Sequence, residues 1–416
     1  MRPLDIRDSL KSAIFTYIDT AFSVRSETFN QRRKDILEKD TKLFQDLQIE
    51  VMPIYETHQK VEEIDNNYNL DNSTFNCIKE FLKTAFFEED TEKKASKFPL
   101  YSHQFEMLDN SLRGFHSIIT TGTGSGKTES FLIPLITSII KEAKQWEACN
   151  LTQIQDRVKN DLNINANKRI NEWEEKRPSA IRGMILYPMN ALVDDQLSRL
   201  RNALDSDFIH KKYLDLDKYF QGNRITFGKL NSSTPVPGHP IKIRQGSIEK
   251  DSSKYQRLKK YSINKRAEFL QLSTALKKAI EEGNDDLEDL IREKITFSQR
   301  FDGISTEMVH RWEMQETPPD ILITNYSMLN IMLTRSSDRQ KSKDDLSDGD
   351  MIDKTRDWLK QSKDNVFHLI IDELHLYRGT SGTEISYLIK LLLERLGISP
   401  DSPQFRILAS SASINQ

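Results

Sequence analysis

Cysteine is scarce in this chain, with only Cys77 and Cys149 among 416 residues. Two isolated cysteines supply neither the paired spacing of a structural metal site nor a disulfide framework, which indicates a reducing compartment. Long hydrophobic runs are also missing. The longest, around residues 131–140, is about half the length of a membrane-spanning helix, and the N-terminal stretch MRPLDIRDSL lacks the apolar core of a signal peptide. We therefore expect a cytoplasmic protein that does not contact the membrane.

The chain has no excess of positive charge. Its 60 Lys and Arg residues face 63 Asp and Glu residues, which gives a formal net charge of −3. This balance excludes a global basic field that attracts nucleic acid, so any such binding has to come from local patches. The length is sufficient for two or three folding units with a sizeable core.

The pattern of apolar residues changes near residue 98. Residues 1–97 are predicted to form a helical N-terminal region, because apolar residues recur there every four positions. These residues are Ile6, Leu10, Ile14, Ile18 and Phe22. From residue 98 to 416, short apolar runs alternate with helical patterns, which is typical of a parallel sheet covered on both faces.

The predicted α/β domain, 98–416, contains six candidate strands. They are 116–121, 182–188, 224–228, 320–325, 366–372 and 406–411. Polar inserts interrupt the domain at about 141–180, 241–310 and 336–360. Ligands of such sheets bind at the carboxyl ends of the strands, and the unusual residues of this sequence follow those ends.

The second insert is divided in charge. Residues 242–278 contain eleven Lys and Arg against three acids, whereas residues 281–293 contain seven acids against one Arg. The basic segment could follow a phosphate backbone. We favour a helical hairpin instead, because the charges of the two segments complement each other.

A glycine-rich stretch follows the first strand of the α/β domain. TGTGSGKT, residues 121–128, fits the phosphate-binding pattern G-x-x-x-x-G-K-[ST], with Thr121 in place of the first glycine. Its glycines let consecutive N–H groups turn toward one anion, and the helix that follows adds its positive N-terminal end. Lys127 would neutralise the β- and γ-phosphates and Thr128 would ligate Mg²⁺. The alternative, a glycine-rich surface turn, is disfavoured by the strand before it and the helix after it.

An acidic pair follows another strand. In LIIDELHLYRG, residues 369–379, Asp372 would hold Mg²⁺ through water and Glu373 would polarise the attacking water. His375 would link this site to neighbouring motifs. The alternative is a helix whose first turn is acidic because of the helix dipole. Gln104, 23 residues before Lys127, would select ATP by hydrogen bonds to the edge of adenine. The alternative for a lone glutamine on a helix is exposure to solvent. The predicted ATP site thus comprises Gln104, Thr121, Gly122, Thr123, Gly124, Ser125, Gly126, Lys127 and Thr128.

These motifs, with YPMNALVDDQ (187–196), PPDILITNYSML (318–329), DELH (372–375) and SSAS (410–413), stand in the order found in superfamily 2 helicases. The sequence most resembles the Lhr-like branch and the large DEAD/DEAH-type helicases of bacterial antiphage systems. The resemblance covers about residues 98–416 and, weakly, EVMPIYE (50–56), and it implies a RecA-like ATP-binding domain that uses ATP and Mg²⁺. DELH replaces DEAH, and SAS replaces SAT.

The resemblance also implies contacts to nucleic acid, with DNA favoured over RNA. The candidate contacts are Pro188, Asn190, Gln196, Thr324 and Asn325, and the candidate coupling residues are Ser411 and Ser413. The alternative for the polar residues among them is ordinary helix capping, because Asn, Ser and Thr favour helix N-termini.

Two functions fit these motifs. One is an ATP-dependent helicase or translocase that hydrolyses ATP to move on nucleic acid. The other is a non-motor ATP-binding switch or assembly subunit that binds a partner protein. A motor places the nucleotide between two RecA-like domains, the second of which supplies arginine fingers. We expect that second domain to be absent from this chain and to lie in a longer chain or in a partner, which would leave residues 1–416 poorly active alone.

Overall fold

The computed structural model describes most of the chain. The described residues are 3–39, 54–87, 89–90, 95–122, 124–149, 177–188, 190–235, 241–244, 247–250, 252–300, 305–334 and 347–411. Contacts divide the chain into two units, Met1–Ile54 and Tyr55–Gln416. The sequence places this division at residue 97 instead. The difference arises because the helix over Asn72–Phe86 buries Phe81 and Leu82 in the core of the second unit.

The first unit contains two helices, α1 (Pro3–Ala21) and α2 (Glu27–Lys39). Arg33 joins them, since its guanidinium donates to the carbonyl of Phe22 at 2.6 Å and to Asp19 at 2.8 Å. The predicted apolar positions Ile6 and Leu10 lie on α1 and are exposed.

The second unit alternates helices with strands. Its helices are α3 (Asn72–Phe86), α4 (Ser102–Leu112), α5 (Lys127–Ala143), α6 (Asn190–Asp205), α7 (Asp207–Asp215), α8 (Asp217–Phe220), α9 (Ser252–Glu281), α10 (Asp285–Phe297), α11 (Arg311–Glu316), α12 (Tyr326–Thr334), α13 (Asp350–Gln361) and α14 (Gly379–Leu396). Its strands are β1 (Glu89–Asp90), β2 (Ala95–Ser96), β3 (Ser117–Thr120), β4 (Gly183–Tyr187), β5 (Phe227–Leu230), β6 (Ile241–Arg244), β7 (Ser247–Lys250), β8 (Glu307–Met308), β9 (Ile321–Asn325), β10 (Phe367–Ile371) and β11 (Phe405–Ser411).

Seven of these strands form one parallel sheet, in the order β3-β11-β10-β4-β9-β5-β8. The predicted α/β class, a parallel sheet with helices on both faces, is confirmed. Each of the six predicted strands corresponds to a strand of the sheet. β5 begins at Phe227 rather than at residue 224, because the amide of Thr226 donates to the carboxylate of Asp320 instead of to a neighbouring strand.

The two faces of the sheet carry separate hydrophobic cores. Alternate residues of β4 divide between them, with Ile185 and Tyr187 in the core that contains α5 and Met184 and Leu186 in the core that contains α13. This alternation follows from the two-residue period of a strand. Burial on both faces explains why the central strands β4, β9 and β10 are almost continuously apolar.

The charged insert forms a hairpin of α9 and α10. Its seam is apolar, because Leu276 and Ala279 of α9 pack with Ile291 of α10. Ion pairs of the hairpin include Lys278 with Glu282 and Arg292 with Glu288, each within four residues along the chain. The favoured hairpin is therefore present, and apolar packing joins its two helices.

The other two inserts are described only in part. Most of 141–180 and all of 336–346 lie outside the described residues. Residues 350–361 form α13, which buries Met351 and Trp358 against the sheet and so belongs to the α/β core. Within the described chain, no helix is long and apolar enough to cross a bilayer.

Candidate nucleotide site

The sequence-predicted motifs meet at one edge of the sheet. The glycine-rich loop follows β3, the acidic pair follows β10, and β11 lies between these two strands. Because the strands are parallel, both loops leave the sheet at the same edge. The backbone amide of Thr121 donates to the carbonyl of Ser411 at 3.3 Å, which fixes the start of the loop to the end of β11.

Two glycines give the loop its shape. Gly124 and Gly126 have φ angles of +78° and +71°, which L side chains rarely adopt. The buried Ser125 hydroxyl donates to the carbonyl of Gly122 at 3.0 Å and lies 2.5 Å from the hydroxyl of Thr121. Thr123 lies outside the described residues. The loop is thus held in a tight turn that ends at Lys127, the first residue of α5.

Helix α4 holds the loop from one side. Gln104 is buried, accepts from the amide of Tyr101 at 3.0 Å and donates to the carbonyl of Gly126 at 3.2 Å. His103 Nε2 donates to the carbonyl of Ser125 at 2.8 Å. Burial lowers the pKa of His103, and its bond to Ser125 opposes that effect. In this arrangement Gln104 positions the loop, and contact between Gln104 and adenine stays a prediction.

Tyr55, in the EVMPIYE stretch, also lies against the loop, although no sequence motif singles it out. Its hydroxyl stands 2.7 Å from where a Cβ on Gly122 would lie. Its ring packs edge-on against Tyr101 and His103, with centroid separations of 5.9 and 6.0 Å. Tyr55 stands far from the glycine-rich motif along the chain, so only the fold brings it there.

The acidic pair is held by the end of β11. Asp372 Oδ1 accepts hydrogen bonds from the hydroxyl of Ser410 and, at 2.9 Å, from the amide of Glu373. His375 Nδ1 lies 3.2 Å from Glu373 and 3.4 Å from the hydroxyl of Ser411. Ser410, within the SSAS motif, joins the predicted site residues through its hydrogen bond to Asp372. Ser413 lies outside the described residues.

The backbone is strained at Glu373. Its φ of +53° places a non-glycine residue in the left-handed region, a conformation that costs energy and is found disproportionately at functional sites. Tyr187 is wholly buried nearby, and burial together with the adjacent Asp372 raises the pKa of its phenol well above the ordinary value.

The side chains at this edge fit a magnesium nucleotide. Lys127 forms no hydrogen bond or ion pair with any described residue, so its ammonium is available to an anion. Thr128 stands next to it at the start of α5, and Asp372 uses Oδ1 for its protein contacts, which leaves Oδ2 for a metal-bound water. In the described part of the chain no group of three or more His, Cys, Asp and Glu side chains could hold a metal. The pair Thr128 and Asp372 suits Mg²⁺, which is typically bound through one or two protein groups together with phosphates and water.

The candidate nucleic-acid contacts fall into two groups. Pro188 follows β4 and Asn190 begins α6, both at the sheet edge. Asn325 ends β9, and its Oδ1 accepts from the amide of Met328, as the capping alternative expects, while its contact with nucleic acid stays a prediction. By contrast, Thr324 is fully buried and donates to the carbonyl of Leu230 at 2.7 Å, while Gln196 is buried within α6. These placements disfavour direct contacts by Thr324 and Gln196.

The fold is a RecA-like α/β domain, and this edge carries its candidate P-loop. Residues 101–225 match the DEAD/DEAH box helicase family model. The predicted resemblance to superfamily 2 helicases is confirmed by this match, which covers part of the chain. ATP, typically with Mg²⁺, is the nucleotide that this family uses.

Individual relatives are much longer than this chain. The chain is 27% identical over 439 residues to Druantia protein DruE of Escherichia coli (strain UMEA 4076-1), an alignment that covers 99% of this chain and 20% of DruE. Among solved structures, the DUF1998 helicase MrfA bound to DNA and AMPPNP is 15% identical, with a TM-score of 0.38 and coverage of 88% of this chain and 28% of MrfA. MrfA bound to DNA is 16% identical, with a TM-score of 0.39 and coverage of 87% and 27%. The chain spans about a fifth of the length of DruE.

Proposed function

We propose that this chain forms the ATP-binding part of a nucleic-acid-dependent ATPase that couples hydrolysis to movement on nucleic acid. The observation that carries this proposal is the convergence of the glycine-rich loop and the acidic pair at one sheet edge, joined through Ser410 and Ser411 of β11. A glycine-rich surface turn would not need hydrogen bonds that connect it, through the intervening strand, to a carboxylate pair two strands away.

Each residue of the edge has a distinct role in this proposal. The loop amides and Lys127 bind the phosphates, and Thr128 and Asp372 hold Mg²⁺, which neutralises charge that develops on the phosphates. Glu373 orients and polarises the attacking water. His375 lies between Glu373 and Ser411, where it can link the site to the end of β11.

Nucleic acid is proposed to contact the neighbouring part of the same edge. Pro188, Asn190 and Asn325 follow or end adjacent strands, since β4 pairs with β9. Backbone amides and small polar side chains at such positions bind phosphates without reading sequence. Thr324 and Gln196, being buried, would support this surface from beneath.

Three finer proposals rest on the family resemblance. DNA is favoured over RNA as the substrate. A second RecA-like domain, in the same longer chain or in a partner chain, completes the site and supplies arginine fingers, which increase phosphoryl-transfer rates by about 10³–10⁵. The biological role is antiphage defence, which a phage-plating assay on cells with and without the full-length gene would test.

The test of the proposed function is a steady-state ATPase assay on the full-length protein, with and without single-stranded DNA. We expect DNA to stimulate hydrolysis, and we expect Glu373→Gln to bind ATP normally but to hydrolyse it at least about 100-fold more slowly. The matched control is Glu394→Gln, which changes an exposed carboxylate of α14. Hydrolysis by Glu373→Gln at the rate of the control would refute the assignment. ATP binding without DNA-stimulated hydrolysis would favour the non-motor switch.

A further inference from the structure

An ion pair lies directly beside the phosphate-binding loop. Glu129 follows Thr128 on α5, and its Oε1 accepts from the guanidinium of Arg199 at 3.0 Å. Its other oxygen, Oε2, is buried and has no hydrogen-bond partner among the described residues. That oxygen stands 3.4 Å from where a Cβ on Gly126 would lie. One side of the carboxylate therefore faces the loop and the other side is held by Arg199.

Arg199 belongs to a different element from the loop. It lies on α6, the helix that begins at Asn190, and its Nε is 3.6 Å from Asp195 one turn earlier. Burial raises the pKa of the Tyr187 phenol, and the charges of Asp372 and Arg199 act on this pKa in opposite directions.

We propose that Arg199 is a positioning residue that couples the nucleotide site to the nucleic-acid surface by holding and neutralising Glu129 beside Gly126. This inference rests on the proposed function. An unneutralised carboxylate at this position would repel the phosphates that the loop binds. Because Arg199 moves with α6, nucleic acid that shifts the start of α6 would change how well Glu129 is neutralised. Coupling of this kind is reciprocal, so nucleic acid and nucleotide would change each other's affinity by the same factor.

A contribution to stability alone does not account for this pair. Arg199 is 46% exposed and Glu129 is 26% exposed, and ion pairs this accessible to solvent contribute little to folding. A merely structural role would therefore leave nucleotide affinity unchanged when Arg199 is replaced.

The test is equilibrium titration of the full-length protein with a fluorescent Mg·ATP analogue, with and without single-stranded DNA. Arg199→Ala is expected to bind the analogue about tenfold more weakly. The double variant Arg199→Ala/Glu129→Gln is expected to recover most of that loss, because the repelling charge is gone. In both variants DNA should no longer change nucleotide affinity. Arg292→Ala, which breaks a comparable surface pair with Glu288 in α10, is the matched control and should behave as the wild type.

Each other outcome rejects the proposal. Wild-type affinity in Arg199→Ala, failure of Glu129→Gln to restore binding, or an undiminished effect of DNA in Arg199→Ala would each overturn it while leaving the proposed function intact. A wild-type protein that binds no nucleotide would overturn the proposed function, and this inference with it.

Discussion

Gly126 combines two constraints at the end of the phosphate-binding loop. Its φ is +71°, and a Cβ there would lie 2.5 Å from Nε2 of Gln104. Alanine would therefore be strained by about 1 kcal/mol in its backbone and would also displace the side chain that holds the loop. We predict that Gly126→Ala loses at least about tenfold in ATP affinity, as measured by titration with a fluorescent analogue.

Gly283 provides the control for backbone strain alone. Its φ is +62°, and a Cβ there would meet nothing within 4 Å. Gly283→Ala should lose a similar amount of stability and keep its ATP affinity. An equal loss of ATP affinity in Gly126→Ala and Gly283→Ala would mean that the contact between Gly126 and Gln104 does not contribute to ATP binding.

At the residue scale, the sequence indicates the residues that are proposed to carry chemistry more readily than the residues that position them. Lys127, Asp372 and Glu373 stand in local motifs whose spacing is fixed by a turn or a strand end. Tyr55 and His103 act on the loop through side-chain contacts that are created only when the chain folds. No local pattern distinguishes such residues from any other aromatic side chain.

Among the elements, the amino-terminal edge of the sheet depends on one buried carboxylate. Asp320 accepts from Arg177 at 2.9 Å, from Arg182 at 2.7 Å and from the amide of Thr226 at 2.8 Å. It thereby joins the starts of β4, β5 and β9. Removal of one partner from such a buried network leaves charges without compensation, at a cost of about 3–5 kcal/mol.

We accordingly predict that Asp320→Ala lowers the free energy of unfolding by about 3–5 kcal/mol in urea titrations. Asp320→Asn keeps the volume and part of the hydrogen bonding and should lose less. The control is Asp357→Ala, because Asp357 is 63% exposed in its contacts with Arg356 and Lys360, and its loss should stay within about 1 kcal/mol. A loss in Asp320→Ala no larger than that of the control would contradict the role assigned to this carboxylate.

The elements also show what patterning can predict. Of the six predicted strands, β4, β9 and β10 are buried almost throughout on both faces, so their composition reveals them, whereas Ile118 of the edge strand β3 is exposed. β8 has two residues and no pattern to recognise. Complementary charge favours a hairpin of α9 and α10, yet Leu276 and Ile291 pack at its seam. The hairpin can be predicted from the sequence, whereas the apolar packing that joins its two helices is seen only in the structure.

For the whole molecule, the absence of net positive charge limits how nucleic acid can bind. With a formal charge of −3 over residues 1–416, attraction by these residues has to come from a local patch, which we propose is the sheet edge, and not from a global field. We predict sequence-tolerant binding that weakens as salt rises, with a slope that reflects a small number of phosphate contacts. Fluorescence anisotropy of labelled single-stranded DNA against salt concentration measures this. Affinity that is independent of salt would indicate that the surface binds a protein instead.

The central claim is that the glycine-rich loop and the acidic pair form one nucleotide site. The most direct measurement is equilibrium binding of a fluorescent Mg·ATP analogue to the wild type and to Lys127→Ala, with Lys144→Ala as control. Lys144 lies just after α5 and pairs with Asp71 at the surface. The Lys144→Ala variant therefore removes the same positive charge as Lys127→Ala without altering the loop. We predict that Lys127→Ala loses about 100-fold or more in affinity while Lys144→Ala binds as the wild type does. Equal affinity of Lys127→Ala and Lys144→Ala would mean that the glycine-rich loop does not bind the nucleotide.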